Sequence, residues 1–166
     1  MSEKTRTYLI DDPEQRLKMI EHTFASVPHT KDLGVEFISL ERNKAIGKLP
    51  YQSHLAGNPS TGALHTGVLI SLVDTVAGLA VFSALPKWEM VATLDLRLDS
   101  FKPSTAGKAV YASVECYQLT RTIAFVRGNI YHDSEQDPIA ACVATFFRGG
   151  SRQRSGTRES EAEGGN

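Results

Sequence analysis

The hydrophobic pattern changes twice along the chain. Over residues 15–27 apolar side chains recur at helical spacing, which predicts an amphipathic helix. Residues 66–85 are almost all apolar, which predicts a helix with no polar face. Alternation of apolar and polar residues, or β-branched and aromatic enrichment, predicts strands elsewhere. The predicted strands are residues 35–40, 45–49, 93–100, 110–118, 123–131 and 139–147.

These elements predict an α+β fold, in which a long antiparallel sheet curls around the apolar helix and buries it. Short connections between successive strands favour a meander. One sheet leaves part of the helix open, so we expect a second copy to cover it, in a dimer or a tetramer. We divide the chain into an N-terminal extension at 1–30, a folded domain at 31–148 and a disordered tail at 149–166, which has too few apolar residues to order itself.

Composition narrows the possible partners. The 166 residues carry a net charge of -1 and no basic stripe, which argues against nucleic acid. No secretory signal precedes the first helix, so we expect a cytoplasmic protein. The segment 66–85 approaches the length of a membrane span, but its charged and hydroxyl side chains favour a core helix. Cys116 and Cys142 lie in strand patterns and are predicted to be core hydrophobes.

Several motifs of known chemistry are incomplete. Residues 57–62 have the outer glycines of a phosphate-binding loop but lack the Lys and the hydroxyl residue that must follow. No Gly-x-Ser-x-Gly elbow is present, which argues against a serine hydrolase. The histidines and cysteines lack metal-ligand spacing, so we predict no metal.

Asp74, the one charged residue of the apolar helix, is the first candidate for chemistry. Its carboxylate loses hydration there, so it is either satisfied by donors such as Ser71 or Thr75 or used in a reaction. The helix begins at Thr66 or Gly67, and N–H groups at a helix N-terminus suit an oxygen that becomes negative. Thr66 and Asp74 are about 12 Å apart along one helix. They can share a substrate only if antiparallel helices of two subunits meet.

An ordered set of residues resembles one protein family. The set is Asn58, His65-Thr66-Gly67, Asp74-Thr75, Thr93-Leu-Asp-Leu96 and Phe101-Lys102-Pro103. It is similar to the hotdog-fold acyl-CoA thioesterases of the phenylacetate-degradation (PaaI-like) type, over residues 33–148. The resemblance implies a hotdog fold and hydrolysis of an acyl-CoA thioester to a free acid and CoA. It also implies a homo-oligomer with its active site at the subunit interface, and no cofactor beyond the CoA of the substrate.

The same resemblance implies roles for individual residues. Asp74 would be the general base that activates water, or the nucleophile. A backbone N–H at Thr66 or Gly67 of the other subunit would polarise the thioester carbonyl. The remaining implied residues are Asn58 and His65, which orient the carbonyl or water, Thr93, which positions the water, and Lys102 and Arg121, which lie near the CoA phosphates.

Two residues depart from the expected pattern. Thr66 stands where the family has a glycine and adds bulk where the thioester approaches. Thr93 shares strand parity with Asp95 and Arg97, so it reaches Asp74 only if a bulge intervenes or if that face is not simply solvent. Two other functions stay open for these reasons. One is a non-catalytic acyl-CoA binding protein; the other is a hotdog hydroxyacyl-thioester dehydratase in which His65 pairs with Asp74 of a second subunit.

Overall fold

The computed structural model describes residues 13–149. The predicted ends, 1–12 and most of the tail at 149–166, lie outside this range. A short 3-10 turn at Ser53–Leu55 precedes the core helix. The helices are α1 (Pro13–Ala25), α2 (Pro28–Leu33) and α3 (Thr66–Ala84), and the strands are β1 (Glu36–Glu41), β2 (Lys44–Leu49), β3 (Met90–Ser100), β4 (Val110–Leu119), β5 (Ile123–Tyr131) and β6 (Ala140–Gly149).

The six strands form one antiparallel sheet in the order β1-β2-β4-β5-β6-β3. The predicted α+β class and the sheet around one helix are confirmed. The predicted meander is wrong at β3, which pairs with β6 at the far edge of the sheet rather than with β4. The β3–β4 connection at residues 101–109 is too long to force a hairpin, so it carries the chain back to β4 between β2 and β5.

Helix α3 lies in the core, and nearly all of its second half is buried. It is long and apolar enough to cross a membrane by length and composition alone, but 67% of its most apolar window is buried inside the protein. Strand β2 approaches it closely, because a Cβ at Gly47 would overlap Val76 Cγ2. Cys116 and Cys142 are buried in the same core, as predicted, and burial raises the pKa of each thiol to about 11.

Helix α1 covers part of the α3 surface that the sheet leaves open. Ile20 is almost fully buried there, and the Phe24 ring meets Phe82 edge-on with 5.5 Å between ring centroids. The same chain therefore supplies some of the cover that we expected from a second copy. Helix α2 was missed by the sequence pattern because its six residues are too few to show a period; it ends at Gly34, which has a left-handed φ of 67°.

A buried ion pair joins Glu89, just before the start of β3, to Arg148, at the end of β6. Arg148 donates from Nε to Glu89 Oε2 at 3.0 Å and from Nη2 to Oε1 at 2.8 Å. The two side chains are only 13% and 3% exposed. Removing one partner of such a pair leaves an uncompensated charge in the interior, which is more costly than losing the attraction itself.

We predict that Arg148→Met lowers the free energy of unfolding by about 3–5 kcal/mol, because Glu89 is left buried and unpaired. Urea unfolding followed by circular dichroism measures the change. The matched control is Arg127→Met, whose partner Glu115 and own side chain are 48% and 62% exposed. Exposed pairs contribute about 0–1 kcal/mol, so equal losses in the two variants would contradict the assignment.

Candidate active site

The loop before α3 is fixed by contacts from three parts of the chain. An isolated bridge joins Ala56 to Leu64 at its base. The Tyr51 hydroxyl donates to the Gly62 carbonyl at 3.0 Å, and the Leu64 N–H donates to Ser104 Oγ at 2.8 Å. Ser104 is a positioning residue that no local pattern indicated, because it lies forty positions from its partner. Together these bonds hold the start of α3 in place.

His65 is the N-cap of α3. Its Nδ1 accepts a hydrogen bond from the Gly67 N–H at 3.0 Å, which places the proton of a neutral ring on Nε2. The His65 backbone N–H in turn donates to the Leu55 carbonyl at 2.9 Å. The cap uses the Gly67 donor. Thr66 is an exposed residue, and its N–H has no acceptor within residues 13–149, so of the two predicted donors it is the one that no hydrogen bond uses.

The Asn58 side chain forms hydrogen bonds within its own loop. Its Oδ1 accepts from the N–H groups of Ser60 at 3.0 Å and Thr61 at 3.3 Å, which forms a local turn. Gly57 beside it packs against His65, and a Cβ at Gly57 would lie 2.7 Å from His65 Cα. The Asn58 side-chain carbonyl therefore shapes the loop that carries His65, and only its amide group is left to meet a substrate.

Asp74 and Thr93, which the sequence separates by nineteen positions, are in direct contact. The Thr93 hydroxyl donates to Asp74 Oδ1 at 2.8 Å. Strand β3 has an irregular register between Thr93 and Asp95, so the bulge that this contact requires is present. Leu94 is the extra residue and is 58% exposed. Thr93 thus turns toward α3, while Asp95 lies exposed beyond the bulge.

The donors proposed on the Asp74 helix itself do not hold the carboxylate. The Ser71 hydroxyl donates to the Gly67 carbonyl at 3.0 Å, and the Thr75 hydroxyl donates to the Ser71 carbonyl at 2.8 Å. Asp74 is half-buried, and Thr93 gives it its one side-chain donor among the described residues. Its second carboxylate oxygen is available to a ligand.

One face of α3 is open next to Asp74. Gly67, Ile70, Ser71 and Asp74 follow one another at helical spacing, and each is partly or largely exposed. We refer to these four residues as the open stripe. Thr66 lies two helical turns before Asp74, about 12 Å away along the axis, so one chain does not bring the two groups to the same carbonyl.

The two basic residues Lys102 and Arg121 lie near opposite ends of strand β6. Lys102 follows the end of β3, and its backbone N–H donates to the Ile139 carbonyl beside the start of β6. Arg121 lies in the β4–β5 turn, which packs against the other end of β6. The Lys102 ammonium is 2.6 Å from the exposed Asp137 carboxylate. Such an exposed ion pair contributes little to stability, so a phosphate can replace Asp137 as the partner of Lys102. Within one chain the two basic side chains do not form one phosphate site.

No group of three or more His, Cys, Asp or Glu side chains with the geometry of a metal site occurs in the described range. His132 is engaged structurally: its Nε2 accepts from the Thr105 N–H at 2.9 Å, and its Nδ1 lies 2.7 Å from the Ala109 carbonyl. It braces the β3–β4 connection on which Ser104 is carried.

Known proteins are similar to this chain over most of its length. Residues 61–139 match the model of the thioesterase superfamily. The chain is 30% identical over 150 residues to the medium/long-chain acyl-CoA thioesterase YigI of Escherichia coli K12, covering 82% of this chain and 96% of YigI. A solved protein of Pseudomonas aeruginosa is 34% identical with a TM-score of 0.71, covering 80% of this chain and 98% of that one. The PaaI protein of the E. coli phenylacetic acid degradation operon has a TM-score of 0.74 at 19% identity, covering 84% and 97%.

Proposed function

Since this chain belongs to the thioesterase superfamily, as a hotdog-fold thioester hydrolase of PaaI-like type, we propose that its substrate is an acyl-CoA and its products are a carboxylic acid and CoA. The observation that carries this proposal is the Asp74 carboxylate, which Thr93 holds at 2.8 Å on an open face of the core helix. The similarity to YigI supports a medium or long acyl chain. We place the reaction in the cytoplasm, where acyl-CoA is made and used.

We propose that each active site is formed by two subunits. Two observations support this proposal: the open stripe is uncovered, and the Thr66 N–H has no acceptor within residues 13–149. Because one helix keeps Thr66 and Asp74 about 12 Å apart, the two groups can act on one carbonyl only if they come from different subunits. Strand β3 supports it as well: it is an edge strand, and Met90, Leu94 and Phe101 on or beside it are more than half exposed. A second copy that adds its own β3 to this edge covers the stripe and brings its helix N-terminus to Asp74.

The proposed chemistry begins with a water molecule beside Asp74. The Thr93 hydroxyl donates a hydrogen bond to Asp74, so its oxygen lone pairs are free to accept a hydrogen bond from that water. Asp74 takes a proton as the water oxygen attacks the thioester carbon. The Thr66 N–H of the second subunit, at the positive end of its helix, stabilises the oxyanion. The C–S bond then breaks, and the leaving CoA thiolate takes the proton from Asp74, which restores the carboxylate.

The remaining residues have supporting roles in this proposal. His65 holds the helix start by capping Gly67, and Asn58 holds the loop, so both fix the position of the Thr66 donor. Thr66 has the N–H that the reaction needs, and its side chain narrows the approach to it. Lys102 and Arg121 bind the CoA phosphates from different subunits, because one chain places them at opposite ends of β6.

A panel of acyl-CoA esters tests the proposed function. We expect the wild-type protein to release free thiol from medium and long acyl chains, measured with a thiol-reactive dye. Saturable binding of acyl-CoA with no thiol release would instead establish a binding protein. Hydration of enoyl-CoA with no thiol release would establish the dehydratase. Buried Cys116 and Cys142, whose pKa values are raised to about 11, do not contribute to the dye signal of the folded protein.

A further inference from the structure

The open stripe of α3 ends abruptly at a side chain from α1. The next residue on the same helix face, one turn after Asp74, is Gly78, and it is buried. The ring of Phe24 lies directly on it: a Cβ at Gly78 would be 3.1 Å from Phe24 Cε1 and 3.3 Å from Phe24 Cζ. The absence of a side chain at Gly78 thus leaves a space on the helix, and Phe24 fills it.

Aromatic contacts hold Phe24 in this position. Its ring packs edge-on against Phe82, one further turn along α3, and Phe82 in turn lies 4.8 Å from Trp88 between ring centroids. Ile20, one turn earlier on α1, is 1% exposed and anchors the helix. Phe24 itself is only partly buried and lies at the C-terminal end of α1. A ring in such a position can turn away without unfolding the core.

The direction of a bound acyl chain follows from these contacts. This step rests on the proposed function, in which the thioester carbonyl lies at Asp74. Toward the N-terminus of α3, the open stripe is the surface that we expect the second subunit to cover. Toward the C-terminus, the acyl chain runs along apolar surface and meets Phe24 after one helical turn, about 5.4 Å. That length holds only a few methylene groups.

We infer that Phe24 determines acyl-chain specificity by closing the acyl end of the site over Gly78. Short acyl chains end before the ring. Longer chains bind only when the ring turns away from Gly78 and gives up its contact with Phe82. The size of the side chain at position 24 therefore sets the balance between short and long substrates, and Phe24 touches the acyl group rather than the reacting atoms.

The test measures kcat/KM for saturated acyl-CoA esters from butyryl to palmitoyl in wild type, Phe24→Ala and Phe24→Trp. We expect Phe24→Ala to raise the long-to-short ratio of kcat/KM by about tenfold or more, since even a single methylene in an apolar pocket changes discrimination by roughly 10–200-fold. Phe24→Trp lowers the ratio. The matched control is Phe125→Ala on the sheet face away from α3, where Phe125 packs near Tyr117, and its ratio stays that of wild type.

Three outcomes would overturn the inference: an unchanged ratio in Phe24→Ala, an equal fall for every chain length, or the same change of ratio in Phe125→Ala. The equal fall is the result of a purely structural role. Dissociation constants for butyryl- and palmitoyl-CoA are measured in parallel. If the wild type hydrolyses no ester, the proposed function fails, and the ratio of the two dissociation constants still decides the role of Phe24.

Discussion

Replacing Asp74 with Asn is expected to reduce thiol release by about 10²–10⁴-fold, the usual contribution of a general base. The amide keeps the size of the side chain and can still accept the Thr93 hydroxyl at the position of Oδ1. It cannot take a proton from water. Because the fold around the half-buried residue is kept, we expect kcat to fall with little change in the unfolding temperature.

The matched control for this change is Asp95→Asn. Asp95 lies two positions from Thr93 on the same strand but is exposed beyond the bulge, and within residues 13–149 the side-chain hydrogen bond of Asp74 comes from Thr93 and not from Asp95. We expect its turnover to equal that of the wild type. Wild-type turnover in Asp74→Asn would show that the carboxylate is structural, and the hydrolytic role would then have to pass to another residue.

The second large effect is expected from Thr66→Pro, which deletes the proposed oxyanion donor. Proline has no N–H, and at the first position of a helix it fits the backbone. The residue before a proline must be extended, and His65 already is, with φ -65° and ψ 136°. The helix start is therefore kept while one hydrogen bond to the oxyanion is lost. We expect kcat to fall by about 10²–10³-fold.

Two further variants at position 66 separate the effect of the backbone N–H on activity from the effect of the side chain. Thr66→Ser keeps both the N–H and a hydroxyl and should retain activity close to that of wild type. Thr66→Gly keeps the N–H and removes the bulk beside the thioester, so we expect activity at least equal to wild type. If Thr66→Pro is as active as Thr66→Ser, the oxyanion donor lies elsewhere.

The central helix and its carboxylate were predictable because both are local signals. An unbroken apolar run specifies a buried helix, and a lone Asp within it is conspicuous. The contact between Thr93 and Asp74 was predictable only on the condition that a bulge interrupts β3, because strand alternation placed Thr93 on the wrong face. The bulge is present at Leu94, and it has no sequence signature of its own.

Other features depend on contacts that are distant in sequence. The position of β3 beside β6 depends on the path of the nine-residue connection between β3 and β4. The alternation of apolar and polar residues along the strands does not indicate that path. The α1 helix was predicted, but its contact with Gly78 was not, because a glycine in an apolar helix gives no indication of its partner. The hydrogen bond from the Gly67 N–H to His65 was not predictable either, since the sequence was compatible with either of two adjacent donors.

The active site shared between two subunits is the central claim, and a mixed dimer tests it most directly. Asp74→Asn and Thr66→Pro chains are co-expressed with different tags, and the heterodimer is purified through both. If each site takes Asp74 from one chain and the Thr66 N–H from the other, one of the two sites is intact. The heterodimer is then expected to recover about half of the wild-type activity per dimer, with both homodimers nearly inactive. A heterodimer no more active than the two variants alone would contradict the shared site, because every site would then contain one defect.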